Sequence, residues 1–240
     1  MNQEEKEMDN QNRVIINEND GLNNFLSKLY GYMALAVGVS AITSFLTLTV
    51  FQESVFGFMA ENRWSIWALF IVQLVVVLNI NVKASRAPFV TFALLMGYSV
   101  LEGVTLSLII SMYSVGNIIA AFAASSAVFV TMTILGNVTK RDLTKLGTQA
   151  LAALVGLIVA SFVNLFLQSE LINYVFSYVA VIIFTILTAW DTQKLRQIFL
   201  QRNSDVSVPN LAMTGALMLY LDFINLFISF LRIFGYGGRD

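Results

Sequence analysis

The sequence predicts an all-α membrane protein, a bundle of seven transmembrane helices. Three observations predict it. Of 240 residues, 57% are hydrophobic and only 12% are charged, about half the charge of an ordinary soluble domain. The mean hydropathy is +0.73. The few charges are also spaced so that apolar stretches of about 20 residues, the length that crosses a bilayer core, recur seven times after residue 24. Backbone groups in lipid must be paired internally, so these stretches are helices. The alternating ten-residue pattern of an outer-membrane barrel is absent.

Residues 1–24 come first and differ from the rest. They hold Glu4, Glu5, Glu7, Asp9, Glu18 and Asp20 against Lys6 and Arg13, a net −4. Polar, Asn-rich and nearly free of aromatics, they read as a solvated, disordered cytoplasmic tail. They have no apolar core ahead of a small-residue cleavage site, so the segment is not a signal peptide and the first span directs insertion. Residues 25–240 read as one membrane domain.

The spans follow in order. The first, 29–51, is uncharged between Lys28 and Glu53, and the second, 64–82, lies between Arg63 and Lys83. The third, 87–111, is interrupted only by Glu102, and the fourth, 115–138, follows a break at 113–116. The fifth, 147–167, and sixth, 171–190, are split by Gln168, Ser169 and Glu170. The seventh, 209–231, contains Asp222. Gly38, Gly97, Gly103, Gly156 and Gly215 fall inside spans, where small residues permit close helix packing.

Lys and Arg orient the bundle. Eleven fall on the tail side: Lys6, Arg13, Lys28, Lys83, Arg86, Lys140, Arg141, Lys145, Lys194, Arg196 and Arg202. Three (Arg63, Arg232 and Arg239) fall on the other. The positive-inside rule then places the N-terminus in the cytoplasm and the C-terminus outside. Tyr30, Trp64, Trp67 and Trp190 sit near span ends, where aromatic belts lie. The body is too close to neutral to bind nucleic acid.

The chain has no Cys and no His, which removes disulfides, thiolate chemistry and the usual pH switch. Proton chemistry must run on carboxyls. A carboxylate at a helix centre costs about 2.5–3.5 kcal/mol on insertion scales, yet Glu102 and Asp222 lie inside spans and Asp191 sits at the edge of the sixth. Intramembrane ionisable groups mark ion pathways and proton relays. Two desolvated carboxyls close together share a proton and titrate as a unit. An oxygen-only environment suits Ca²⁺. Two or three carboxylates are too few for a tight cage, so the expectation is a permeant or loosely held ion and no tightly bound cofactor.

At 1.5 Å per residue, Asp222 lies about 20 Å from residue 209 and Glu102 about 24 Å from residue 86. Those two depths match, and Asp191 looks shallower. Which carboxyls meet therefore stays open on spacing alone.

The segment 216–235 reads ALMLYLDFINLFISFLRIFG, with TAWDTQKL at 188–195 and LEGVTLSLI at 101–109. With the seven spans, these resemble the Bax-inhibitor-1-like family over roughly residues 25–236. The resemblance implies a seven-helix bundle with the last helix central, acting as a pH-sensitive calcium leak channel. In a bacterial member, which the compact length and absence of Cys fit, the site is the plasma membrane. The family's paired aspartates match Asp191 and Asp222, and its Glu-Gly in the third helix matches Glu102 and Gly103. A basic residue near the cytoplasmic end of the second helix pairs with the sixth-helix aspartate in some members, and the candidates are Lys83 and Arg86. Trp190 stands where a Tyr is common.

Enzymatic readings lack their signatures. The Gly-x-Gly-Asp of intramembrane aspartyl proteases is missing, because Asp222 follows Tyr220 and Leu221, and no Gly-x-Ser-Gly or His-Glu-x-x-His occurs. A retinal receptor needs a Lys within a span, and none has one. Two alternatives to the channel stand: a proton-coupled carrier using Glu102 and Asp222, and a scaffold restraining membrane-protein partners.

Overall fold

The computed structural model describes residues 3–82, 88–201 and 207–236. Among the described residues there are eight helices and no strand: α1 (Gln3–Thr49), α2 (Gln52–Glu61), α3 (Trp64–Val82), α4 (Pro88–Ile110), α5 (Val115–Val138), α6 (Thr144–Leu167), α7 (Glu170–Gln201) and α8 (Val208–Tyr236). Six are long and apolar enough to cross a membrane: Asp20–Thr49 of α1, and α4 to α8. α2 and α3 are bent by 104° at their junction and count as a seventh span if taken together.

Three boundaries differ from the sequence expectation. The helix of the first span begins far upstream of residue 29. The segment 3–24 contains no Pro, and its first Gly is Gly21, so nothing in it stops a helix. Leu22 and Phe25 are already buried, which places the start of the packed domain inside the expected tail. The second difference is α2, a ten-residue helix in a stretch that reads as a loop because Gln52, Glu53 and Glu61 bracket it. The third is α7, which runs eleven residues past Trp190. Hydropathy ends the span at Asp191, but Asp191, Leu195 and Phe199 form a buried stripe at i, i+4 and i+8. Such a stripe holds a helix against its neighbours whatever its outer face carries.

α8 is the most buried span, with 56% of its most apolar window inside the protein. It packs against α1, α4, α5 and α7, while α3 packs on α4 and α6 on α7. Lipid is as apolar as Leu, so association rests on close packing and interhelical hydrogen bonds. Gly103 supplies such a contact. A Cβ there would stand 2.7 Å from both the Ser40 carbonyl oxygen and Thr43 Cβ of α1. Gly215 abuts Leu29 and Leu195, but Gly38, Gly97 and Gly156 have nothing within 4 Å and are not packing glycines. The other tight approaches are Gly136 on Ala189 and Thr192, Gly147 on Trp190, and Gly235 on Tyr113.

These contacts sort the helix ends. Phe25 stacks on Phe199 with ring centroids 4.6 Å apart. Asn137 Nδ2 donates to Tyr30 Oη at 2.9 Å, and Gly147 meets Trp190. The start of the α1 span, the end of α5, the start of α6 and the end of α7 therefore share one end of the bundle. At the opposite end Tyr174 stacks on Tyr236 at 4.3 Å and Tyr113 covers Gly235. Lys28, Lys140, Arg141, Lys145, Lys194 and Arg196 gather at the first end.

Candidate functional site: buried carboxyls on two faces of the last helix

Asp191 on α7 and Asp222 on α8 are 8% and 5% exposed. The extension of α7 brings them together. Asp191 is ten residues, about 15 Å, from the end of its helix, and Asp222 is fourteen residues, about 21 Å, from the start of its own. The two helices run antiparallel side by side, so both carboxyls lie at comparable height in the α7–α8 packing. Asp191 Oδ1 and Asp222 Oδ2 are buried without a hydrogen-bond partner among the described residues. A buried carboxyl oxygen with no donor is costly.

Lys194 is the described cation nearest to Asp191 in sequence. It lies one turn further along α7, and its Nζ stands 4.9 Å from the Trp190 ring centroid. The i, i+3 spacing in Asp-Thr-Gln-Lys puts the two on neighbouring turns of one helix face, whereas the family resemblance implies Lys83 or Arg86 as the basic partner. Both of those lie outside the described residues.

Gln193, two residues after Asp191, clamps the α5–α6 loop. Its Oε1 accepts from the Leu143 backbone N–H at 2.8 Å, and its Nε2 donates to the Arg141 carbonyl at 2.8 Å. Within that loop Asp142 accepts from the Thr144 backbone N–H at 2.9 Å and its hydroxyl at 2.6 Å. These bonds favour the ionised carboxylate and hold the Asp142 carboxyl below its usual range.

Glu102 belongs to a different cluster. Gln73 Nε2 on α3 donates to Glu102 Oε2 and to Thr105 Oγ1, both at 3.0 Å, and Tyr98 Oη donates to Glu102 Oε2 at 3.5 Å. Tyr98 packs edge-on against Tyr220 of α8 at 6.0 Å. The Tyr220 hydroxyl shares a 2.6 Å hydrogen bond with Ser40 of α1, and Ser40 also donates to the Ser99 carbonyl at 2.7 Å. Tyr220 and Asp222 are two residues apart, about 200° around the helix. One face of α8 thus carries the Glu102 network and the opposite face carries the aspartate pair. The structure brings Asp191 to Asp222 and leaves Glu102 apart, despite the matching depth of Glu102 and Asp222.

Among the described residues no group of three or more Asp, Glu, His or Cys is placed to hold a metal ion. The pair offers four carboxylate oxygens at most, against the six to eight that Ca²⁺ takes.

Long apolar helices, a polar network inside them and two carboxyls buried between the last two make this a multi-span, all-helical membrane protein in contact with the lipid bilayer. The chain belongs to the Bax-inhibitor-1-like family: residues 22–239 match the family model described as inhibitor of apoptosis-promoting Bax1. It is 40% identical over 223 residues to an uncharacterized membrane protein of Streptococcus pyogenes serotype M1, covering 92% of this chain and 97% of that one. It is 36% identical to the uncharacterized protein YrjE of Lactococcus lactis, over 96% of this chain and 99% of the relative. It is also 36% identical to the inner membrane protein YbhL of Escherichia coli K12, over 92% and 95% respectively.

Proposed function

We propose that the protein is a pH-sensitive calcium leak channel, not an enzyme, gated by Asp191 and Asp222. The proposal includes seven crossings of the plasma membrane, with α2 and α3 as one broken span and the last helix central. The basic end of the bundle faces the cytoplasm, as the positive-inside rule requires, and the C-terminus lies outside. The observation that carries the reading is the pair of buried oxygens on two adjacent spans with no hydrogen-bond partner among the described residues.

With one proton shared, the pair is a short hydrogen-bonded link between α7 and α8. When that proton leaves, two negative charges face each other in a region of low dielectric. Their repulsion, or the entry of a cation between them, biases the helices apart. Four oxygens satisfy Ca²⁺ only in part, which suits passage and loose binding better than storage. Lys194 supplies a nearby positive charge that competes with the ion, and Lys83 and Arg86 are the further candidates for that role.

The test is Ca²⁺ entry into dye-loaded proteoliposomes from mildly acidic to mildly alkaline pH, with Asp191→Asn and Asp222→Asn beside the wild type. The expected result is a leak whose pH dependence is lost in either variant. An unchanged pH dependence in both would refute the gate. Saturable, counter-transportable flux would indicate a proton-coupled carrier, and no flux above empty liposomes a partner-binding scaffold.

A further inference from the structure

The elbow between α2 and α3 leaves an open groove of about 650 Å³ at the end of the bundle away from the cluster of basic residues. Phe56, Met59 and Ala60 of α2 form one wall, Ile66 and Trp67 of α3 with Leu108 of α4 form the other, and Arg63 stands at the bend. Phe56, Met59 and Ala60 follow i, i+3, i+4 spacing, so they make one apolar face of α2. That helix has no buried residue: Phe56, Met59 and Ala60 are turned toward the groove, Phe58 is exposed outside it, and no protein core covers either side.

The surroundings state what chemistry fits. The 104° bend sets α2 across the direction of α3, the posture of an amphipathic helix lying in the interface plane. Trp64 and Trp67 are more than half exposed at this turn, where indoles sit at headgroup level. Arg63 is exposed and makes no hydrogen bond or ion pair among the described residues. It is the single charge in an otherwise apolar lining, since Glu61 is exposed outside it. Guanidinium binds phosphate through a two-pronged contact. An apolar trough running from a lone, headgroup-level guanidinium matches a molecule with a phosphate at one end and a hydrocarbon chain behind it.

We propose that this groove is a binding site for one anionic phospholipid. Arg63 takes the phosphate, and an acyl chain lies between Phe56 and Met59 on one side and Ile66, Trp67 and Leu108 on the other. A net-negative headgroup is preferred because a choline ammonium brings a second positive charge toward Arg63. The lipid supplies the apolar partner that α2 lacks and so holds the elbow in place. The site is independent of the aspartate pair, which lies on other helices.

The chain provides its own reporter, because of its three Trp residues only Trp67 is among those lining the groove, and Trp64 and Trp190 can be replaced. The full-length protein carrying Trp64→Phe and Trp190→Phe would be reconstituted into vesicles of phosphatidylcholine. Increasing fractions of phosphatidylglycerol or phosphatidylcholine brominated on the acyl chains would then be added, and indole quenching followed. Half-maximal quenching is expected at an about five-fold lower fraction of the brominated anionic lipid, the preference one basic side chain gives near a membrane surface. Arg63→Gln should abolish that preference while leaving quenching by brominated phosphatidylcholine as it was. Ala60→Phe, which fills the trough from an exposed position, should weaken quenching by both. Equal quenching by the two lipids, insensitive to Arg63→Gln, would overturn the proposal and leave bulk lipid at the groove. An indole shielded from both lipids would overturn it in favour of a second copy of the chain.

Discussion

Replacing Gly136 with Ala probes the packing beside Asp191. An added Cβ would lie against the Ala189 carbonyl oxygen, 3.0 Å from Thr192 Cβ and 3.1 Å from the Ala189 carbonyl carbon. Carbon atoms rest about 3.5–4.0 Å apart, so α5 must withdraw from α7 by roughly 0.5–1 Å. The offending atoms are backbone and Cβ, which no rotamer change can move. Overpacking of this kind costs about 1–3 kcal/mol, offset by less than the gain of about 0.5–1 kcal/mol that replacing a mid-helix Gly brings, because Gly136 lies in the last turn of α5. Gly38 is the control, since nothing lies within 4 Å of a Cβ there and only the gain applies. Thermal unfolding of purified protein in detergent, followed by intrinsic fluorescence, reads the difference. At about 2–4 °C per kcal/mol for a chain of this size, Gly136→Ala should lower Tm by a few degrees and Gly38→Ala should raise it slightly. Equal Tm values for the two variants, or the reverse order, would refute the argument that Gly136 exists for the α5–α7 contact.

Two other substitutions follow from the hydrogen bonds. Gln193→Leu removes both bonds to the α5–α6 loop, each worth about 0.5–1.5 kcal/mol. It should accelerate limited tryptic cleavage at Lys140 and Arg141, and unchanged cleavage would mean the loop is held by other contacts. Tyr220→Phe and Ser40→Ala, measured singly and together, should show a coupling of about 0.6 kcal/mol, with about 1.7 as the upper range for such bonds in membranes. Strict additivity would mean the 2.6 Å contact contributes nothing to holding α8 on α1.

Hydropathy located the long helices because a membrane span is a one-dimensional signal: twenty apolar residues without charge. It failed where a helix turns two faces to two environments. Past Trp190, Lys194 and Arg196 end the apolar run, yet Leu195 and Phe199 still face the core. The same blindness left the start of α1 too late and α2 unread. The carboxyls stood out because charge in an apolar run is conspicuous. Their neighbours did not: Gln73 and Tyr220 are uncharged and ordinary in composition, and Lys194 was counted only as a topological charge. Which aspartate meets which depended on where α7 ends, so depth counted from hydropathic edges pointed at Glu102, and only the family resemblance named Asp191 and Asp222 as a pair. Glycines were the least legible, because Gly38 and Gly136 look alike in sequence and differ wholly in what lies opposite them.

The two carboxyl sites share one helix, and this constrains how the bundle can open. Asp222 and Tyr220 point about 200° apart, so any rotation of α8 that carries Asp222 away from Asp191 also pulls the Tyr220 hydroxyl off Ser40. The Tyr220 side is the one tied by hydrogen bonds across helices. Ser40 bonds both Tyr220 and the Ser99 carbonyl, and Gly103 locks α4 against the same turn of α1. The Asp222 side is held by α7 packing, with Asp191 Oδ1 and Asp222 Oδ2 making no hydrogen bond among the described residues. A motion that parted the aspartates and kept those hydrogen bonds would leave α8 with α1 and α4 and displace α7, taking α6 along through the Gly147–Trp190 contact and the Gln193 clamp. Under the proposed gate, Gln193→Leu should then alter the leak more than Tyr220→Phe does, because the clamp rides on the moving helix and the tyrosine on the fixed one.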